Sequence, residues 1–384
     1  MKPLRYILIN ALSIGSGGGY TVGRELLRHL ALARPGWRFS ILLVRGHPLH
    51  QLFKGECLPS NAAIHWAPPH TAGHIGRMRY ERGELPHWVR REGIHAIVQL
   101  NGMTIPGVPV PTLAHYQDPW PYRPQAWTGW RDRLLAMARR HQHARSLRTA
   151  ACAGWTSAYL RDLVCGYHRI TPRRSHVFYN GVPQAWLHRG EATVPLWQDR
   201  PLEIVTVSNV CPYKRQDLVI RALAGLIRRP GLSQLVYRIV GDCPPRYAEE
   251  LRSLAGSLGV QDHVMIEGRV PDERVEEVYG RARCFVLMSV CESFGIPAIE
   301  AMSFGTPVVT SDCCAMPEVC GDAADFVPVD DLAALQKTIE RVLCDPSRAQ
   351  ELRQRGFQRV RRFSWHSTAQ HMAEVLEEIT VQAP

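Results

Sequence analysis

Short apolar runs alternate with stretches of helical periodicity along the whole chain, and few folds accept that rhythm. The runs at 6–9, 39–44, 96–100, 112–114 and 176–179 form one series, and those at 203–207, 237–240, 264–266, 284–288 and 307–310 form a second. Each is short and largely apolar, so each predicts a strand. Helical patterns intervene, among them 218–227, 247–256, 274–280 and 297–303. Buried strands alternating with helices imply an α/β fold in which the helices cover a largely parallel sheet. A chain of 384 residues also exceeds what one hydrophobic core usually holds. The break falls at 187–201, where Gly190, Pro195 and Pro201 interrupt the periodicity. The sequence therefore predicts a first domain over 1–186, a linker over 187–201 and a second domain over 202–365. Closing helices are expected at 331–343 and 348–362, with a last amphipathic one at 366–379 in a tail, 366–384, that can pack back on the first domain. Two Rossmann-like lobes of this kind are expected to face a cleft, where ligands usually bind.

Composition narrows the function classes. With 45% hydrophobic and 21% charged residues, the chain reads as an ordinary globular protein rather than a disordered one. No apolar run approaches the ~20 residues that a membrane-spanning helix needs. Segment 1–14 sets Lys2 and Arg5 before an apolar stretch, as an export signal does, but runs on into Gly15-Ser16-Gly17-Gly18-Gly19 without an Ala-x-Ala cleavage site. It is expected to be a first strand and its loop. Cys152, Cys165, Cys243 and Cys284 stand singly among apolar or small neighbours, Cys313 and Cys314 are adjacent, and no paired CxxC motif occurs. Free thiols in a reducing compartment are expected. The net charge of +11 points to an acidic partner: nucleic acid, anionic lipid or a phosphorylated ligand.

The most informative stretch is Cys291-Glu292-Ser293-Phe294-Gly295-Ile296-Pro297-Ala298-Ile299-Glu300-Ala301-Met302. It follows the run at 284–288 and so lies at a strand's carboxyl end, where open α/β sheets place ligands. Gly295 permits close backbone approach and Pro297 suits the first turn of a helix. The free amides over 294–298 would point at an anion, aided by the helix dipole. Glu292 lies in the loop and Glu300 one turn into the helix, with seven residues between them. In this context the segment resembles glycosyltransferase family 4, a GT-B fold family whose hallmark is two glutamates at this spacing in the pattern E-x-F-G-x-P-x-x-E-A-M. The resemblance implies a retaining glycosyltransferase that uses a nucleotide sugar. It puts Glu300 on the donor ribose, Glu292 on the transferred hexose, and the backbone of Ser293, Phe294, Gly295 and Ile296 on sugar hydroxyls and phosphate.

Further segments match the family in order. Ser208 to Asp217 follows a strand, as does the family's G-R-x-x-x-x-K segment, and Lys214 fits the residue that neutralises the leaving diphosphate. Asn209 stands where arginine is common, so other groups must supply part of the charge, with Arg215 the candidate. Gly241 marks a glycine turn. The backbone of Arg269 and Val270 is implied to read the nucleotide base, and Glu318 to order the end of the donor site. In the first half, Ser16-Gly17-Gly18-Gly19-Tyr20 resembles the glycine-rich opening loop, bringing Gly18 and Gly19 near donor phosphate or acceptor, although such a loop equally suits a dinucleotide enzyme. The family's His-Asp pair is altered to His115-Tyr116-Gln117-Asp118-Pro119-Trp120. Gln117 takes the histidine place, and His115, on the same side if the stretch is extended, becomes the catalytic candidate. Tyr20, Gln117, Asp118 and Trp120 are assigned to the acceptor side. Asn180-Gly181-Val182 matches a structural turn.

No Asp-x-Asp occurs, so metal-bridged phosphate chemistry lacks its usual ligands and no metal or other cofactor is expected. Lys214, helix-terminal amides and Arg215 would stabilise the leaving group, with front-face attack through an oxocarbenium-like state. By resemblance the donor is GDP-mannose ahead of UDP- or dTDP-sugars. The acceptor is a saccharide or lipid-linked saccharide in bacterial surface-polysaccharide or lipopolysaccharide assembly, at the cytoplasmic face of the cell membrane. Segment 131–148 bears on membrane contact: it holds six arginines against Asp132, spread around a helical wheel. The aromatics Tyr116, Trp120, Tyr122, Trp127 and Trp130 suit sugar stacking, lipid headgroups or packing between lobes. Rival readings are weaker. A nicotinamide oxidoreductase needs an acidic residue after the second strand, where Arg45 stands. Nucleic-acid binding has the charge but no motif. A GT-B epimerase or glycoside phosphorylase usually lacks the paired glutamates.

Overall fold

Both series of apolar runs form parallel sheets in a computed structural model, which describes residues 4–14, 18–47, 49, 58–187 and 194–381. The first sheet contains β1 (Tyr6–Asn10), β2 (Arg38–Val44), β3 (Ala62–Ala67), β4 (Ala96–Gln99), β5 (Thr112–Tyr116), β6 (Cys152–Trp155) and β7 (Ser175–Val177). Their order is β3-β2-β1-β4-β5-β6-β7. The second contains β8 (Glu203–Val207), β9 (Val236–Val240), β10 (Val264–Gly268), β11 (Cys284–Leu287), β12 (Val308–Ser311) and β13 (Ala324–Val327), in the order β10-β9-β8-β11-β12-β13. In each sheet the chain winds outward one way, returns to the centre and winds out the other way. The direction reverses between β1 and β4 in one sheet and between β8 and β11 in the other, leaving a crevice at the strands' carboxyl ends.

Three strands lack the apolar signature expected of them, each for a physical reason. β3 is an edge strand, so most of its residues are only half-buried and its sequence is mixed. β6 reads Cys-Ala-Gly-Trp, with little aliphatic content despite full burial. β13 buries Asp325, whose carboxylate is held by Arg341 at 2.8 Å and Arg348 at 2.5 Å.

The chain divides into two units. The first comprises Met1–Tyr122, Gly129–Gly181 and Trp365–Pro384, and the second Arg123–Thr128 and Val182–Ser364. The core of the first gathers Leu26, Leu27 and Leu30 from the helix Gly18–Ala33 with Met372, Val375, Leu376 and Ile379 from the helix Trp365–Val381. The last helix of the chain thus completes the first unit. In the second, the helices Gln216–Leu226 and Leu332–Cys344 bury Leu218, Leu223, Leu335 and Ile339 with Ile204, Tyr237 and Val286 of the sheet.

The region expected as a linker differs from that reading. Residues 188–193 lie outside the described residues, but 194–201 is a fixed part of the second unit. Trp197 is buried and donates to the Arg283 carbonyl at 3.0 Å. Arg200, only 1% exposed, donates to Ala282 O at 3.0 Å, Thr306 Oγ1 at 2.9 Å and Phe304 O at 2.9 Å. Gly190 lies outside the described residues, and Pro195 and Pro201 mark irregular backbone that side-chain anchors hold in place. Ten cysteines among the described residues are free thiols. Among the described residues, no helix is long and apolar enough to cross a membrane.

Candidate functional site

Two loops flank the reversal point of the second sheet. After β8 the chain passes through a 3-10 turn, Pro212–Lys214, and Arg215 at φ 59° opens the helix Gln216–Leu226. After β11 it runs to Gly295, whose φ of 84° opens the helix Ile296–Ser303. The Val290 amide donates to the Tyr213 carbonyl at 2.9 Å, which joins the two loops. Neighbouring loops continue the pattern: Val210 N–H to Asp242 O at 2.8 Å, and Gly241 N–H to Gly268 O at 2.8 Å. Backbone bonds therefore link the carboxyl ends of β10, β9, β8 and β11 in sheet order. Gly241 makes this possible. Its φ is 140°, and a Cβ there would lie 1.8 Å from the Ser208 carbonyl oxygen. A Cβ on Gly295 would lie 2.5 Å from the Met316 sulfur.

The charged groups sit on this frame. Lys214 Nζ donates to Glu292 Oε1, and both side chains are about nine-tenths buried, at 12% and 9% exposure. Burial works to lower the lysine's pKa, but the Glu292 carboxylate outweighs it and holds the ammonium above its ordinary value. The result is a fixed cation beside a fixed carboxylate. Glu300, one turn into its helix, accepts a hydrogen bond from the buried Tyr279 hydroxyl at 2.8 Å. Burial first, and then the Glu300 carboxylate, push that phenol well above its usual range, so it stays a donor. Arg215 is engaged with Asp330 Oδ1 and, at 3.4 Å, with Asp217 Oδ1. The candidate for the rest of the charge is thus held by two carboxylates of its own, Asp217 and Asp330.

The remaining donor-side candidates divide by chemistry. Phe294 is 1% exposed and packs edge-on against Phe363, with ring centroids 5.4 Å apart, and Ile296 is 7% exposed. Both side chains belong to the core, leaving only their backbone for a ligand. Ser293 and Asn209 are half-buried, and the Asn209 carbonyl accepts from Gln216 Nε2 at 3.3 Å. Arg269 is exposed and Val270 half-buried, just past Gly268 at φ 72°. The Glu318 carbonyl accepts from Arg359 at 2.5 Å. Sequence reasoning missed Tyr279, Tyr213 and Arg123, whose Nε donates to Val290 O at 3.0 Å. Arg123 enters the second unit from a segment flanked by first-unit residues, and no local pattern announces that.

In the first unit, Gly18 and Gly19 open the helix Gly18–Ala33, while Ser16 and Gly17 lie outside the described residues. A Cβ on Gly19 would come 3.9 Å from Gln117 Oε1, and Gln117 Nε2 donates to the Leu100 carbonyl at 3.0 Å. These residues meet at the ends of β1, β4 and β5, beside that sheet's own reversal point. Tyr20 packs half-buried against the core. Asp118 accepts from the Trp120 amide at 2.9 Å and pairs with Arg139 at 3.0 Å, and the Arg139 guanidinium lies 5.4 Å over the Trp120 ring.

His115 corrects an expectation. It is 1% exposed within β5, beside Phe178 at 5.9 Å, and burial drives its pKa down to about 4. It is a neutral core imidazole and touches no open surface. The extended stretch assumed for 115–117 stops at Tyr116, so His115 and Gln117 do not share a strand face.

Residues 192–359 match the sequence model of the family described as glycosyl transferases group 1. That span contains the frame, Lys214 and both glutamates. The second unit is a group 1 glycosyl transferase domain. The relatives of this glycosyl transferase domain include the D-inositol 3-phosphate glycosyltransferase of Segniliparus rotundus, 31% identical over 212 residues, or 53% of this chain and 46% of that protein. The O-antigen chain mannosyltransferase B of Escherichia coli is 41% identical over 100 residues, 26% of each chain. These matches span half or less of the curated relatives' lengths. Among solved structures, sucrose-phosphate synthase from Thermosynechococcus elongatus aligns with a TM-score of 0.75 at 21% identity, over 98% of this chain and 99% of that one. The fold is GT-B, with two Rossmann-like domains.

Proposed function

We propose that the protein is a retaining glycosyltransferase that moves a hexose from a nucleoside-diphosphate sugar to a saccharide or lipid-linked saccharide, in surface-polysaccharide or lipopolysaccharide assembly. The observation that carries this reading is the buried Lys214–Glu292 pair at the reversal point of the glycosyl transferase domain, with Glu300 on the adjoining helix. As the bond from the anomeric carbon to the β-phosphate breaks, negative charge grows on the phosphate. A cation beside it therefore stabilises the transition state more than the ground state. Lys214 takes that part, with the amides around Gly295 in support. Glu292 accepts from hexose hydroxyls and Glu300 from the ribose. The acceptor oxygen bonds the anomeric carbon on the face that the phosphate leaves, and its proton passes to a phosphate oxygen. The reading requires no metal. GDP-mannose is the favoured donor, supported by the mannosyltransferase among the relatives, with UDP- and dTDP-sugars as alternatives.

The test is a panel of GDP-, UDP- and dTDP-sugars, scored by released nucleoside diphosphate with EDTA or with manganese. The expected outcome is turnover of one donor in EDTA, a product of unchanged anomeric configuration, and thermal stabilisation by the matching diphosphate. Stabilisation by NAD alone would sink the reading. Loss of turnover in EDTA that manganese restores would overturn the phosphate handling.

A further inference from the structure

The helix Trp130–Thr149 of the first unit carries an exposed line of side chains that the donor chemistry does not use. Trp130, Leu134, Met137, His141, Arg145 and Arg148 recur at intervals of four, three, four, four and three, which sets them on one helix face. All six are exposed, whereas Ala136, His143 and Leu147 on the opposite face are buried. The line changes character along its length of about 27 Å. Trp130, Leu134 and Met137 come first, at 68%, 55% and 54% exposure, with Leu135 at 44% beside them. Then follow His141, Arg145 and Arg148. Among the described residues, no other segment gathers as many exposed large apolar side chains.

Around the wheel the six arginines look scattered, but the structure sorts them. Arg139 pairs with Asp118 at 3.0 Å, and Arg140 donates to Pro121 O at 2.6 Å and to Tyr167 at 2.9 Å, so both are used inward. Arg131, Arg133, Arg145 and Arg148 are exposed, and the Arg131 guanidinium lies 5.5 Å over the Trp130 ring. The helix's single acid, Asp132, lies off the line and is half-buried. Along the line itself apolar and cationic residues therefore segregate end to end, with Arg131 and Arg133 flanking its apolar end.

We propose that this line docks on an anionic lipid surface. Trp130, Leu134 and Met137 enter the boundary between headgroups and acyl chains, where an indole is favoured and long arginine stems keep their charge in water. Arg145 and Arg148 meet the headgroup phosphates. A convex helix offers a protein ligand no groove. A second copy would bring arginines against arginines with no acid on that face to pair them. Nucleic acid would leave the apolar half unpaired. The proposal stands apart from the donor reading, because its test reads binding and not turnover.

The experiment is co-sedimentation of the full chain with vesicles of phosphatidylcholine plus phosphatidylglycerol, and of phosphatidylcholine alone. Binding is expected on the phosphatidylglycerol vesicles only, weakening as salt rises. Arg145→Gln with Arg148→Gln should cut affinity about fivefold per arginine. Trp130→Ser, Leu134→Ser and Met137→Ser together should cut it at least as far. Exposed substitutions of this kind should leave the unfolding midpoint unchanged. The proposal falls if the wild type prefers neither vesicle, or if either variant sediments like the wild type. It also falls if the wild type is a dimer that the triple variant dissociates, which would give the stripe to a second copy.

Discussion

The first six strands of the first sheet and the six of the second follow the same order, and both sheets reverse between their first and fourth strands. At that point the second unit sets a buried ion pair, a tyrosine-held glutamate and a run of linked loops. The first unit sets Gly19, Gln117 and the Leu100 carbonyl there, and at the end of β1 Asn10 donates to Glu81 at 2.8 Å. The fold supplies the crevice in both cases, and side chains decide what it can do. Histidines run the other way: among the described residues, only His263 falls in the second unit. Two in the first, His115 and His143, are buried neutral in its interior. A buried ion pair marks the reversal point of one sheet, and acid-sensitive groups are packed into the core around the other.

Substitution at the ion pair is the severest test of that contrast. Lys214→Ala should cut turnover on the order of 10²–10³-fold. It also leaves Glu292 buried without its partner, a loss of roughly 3–5 kcal/mol in stability. Arg215→Ala, whose charge Asp330 and Asp217 already engage, should cost less than tenfold in single-turnover kinetics at saturating donor. The reverse ranking would make Arg215 the phosphate cation and break the assignment.

The glycines give the next largest effect. Gly241→Ala drives a Cβ into the Ser208 carbonyl and should destabilise the second unit on the order of 3 kcal/mol or more, read by denaturant unfolding. Gly19→Ala has room within its helix and should change stability by less than about 1 kcal/mol. Equal losses would mean that the two glycines carry the same constraint.

Acid should separate the units as well. The His115 pKa is lowered to about 4 by burial, and that of His143 to about 3 by burial and then by His168. Both folded values lie below the unfolded value near 6.5. Their neutral burial therefore costs nothing in protonation above that pH. As pH falls below 6.5 the unfolded chain takes up protons first, and stability drops by about 1.4 kcal/mol per pH unit per group until the folded values are reached. Hydrogen exchange at pH 7.5 and pH 5 should show first-unit strands losing protection before those of the second. Simultaneous loss would sink the distinction. Smallest of all, His115→Gln should leave turnover within about threefold, and a larger loss would restore the residue to the chemistry.

The second unit was the more legible half in sequence, for a physical reason. Its site lies within a few loop–helix junctions, so Glu292, Gly295 and Glu300 keep a fixed local spacing. Tyr279 and Arg123 escaped because they arrive from distant segments and bear no periodic mark. In the first unit, strand identity was readable wherever both faces are aliphatic, as in β1 and β2, and lost where glycine, cysteine or an edge position replaced that signal, as in β6 and β3. His115 misled because its neighbours spell a motif, whereas its burial depends on β6 and Phe178, which the local sequence does not contain.

The helix Trp365–Val381 sets the order in which a nascent chain can finish folding. Met372, Leu376 and Ile379 close the first core against Leu26 and Leu30, more than three hundred residues earlier in synthesis. Everything the second unit needs has been synthesised by Ser364. The unit begun first is thus completed last, after a contact of very long sequence separation. Until then its open apolar face is what a chaperone meets.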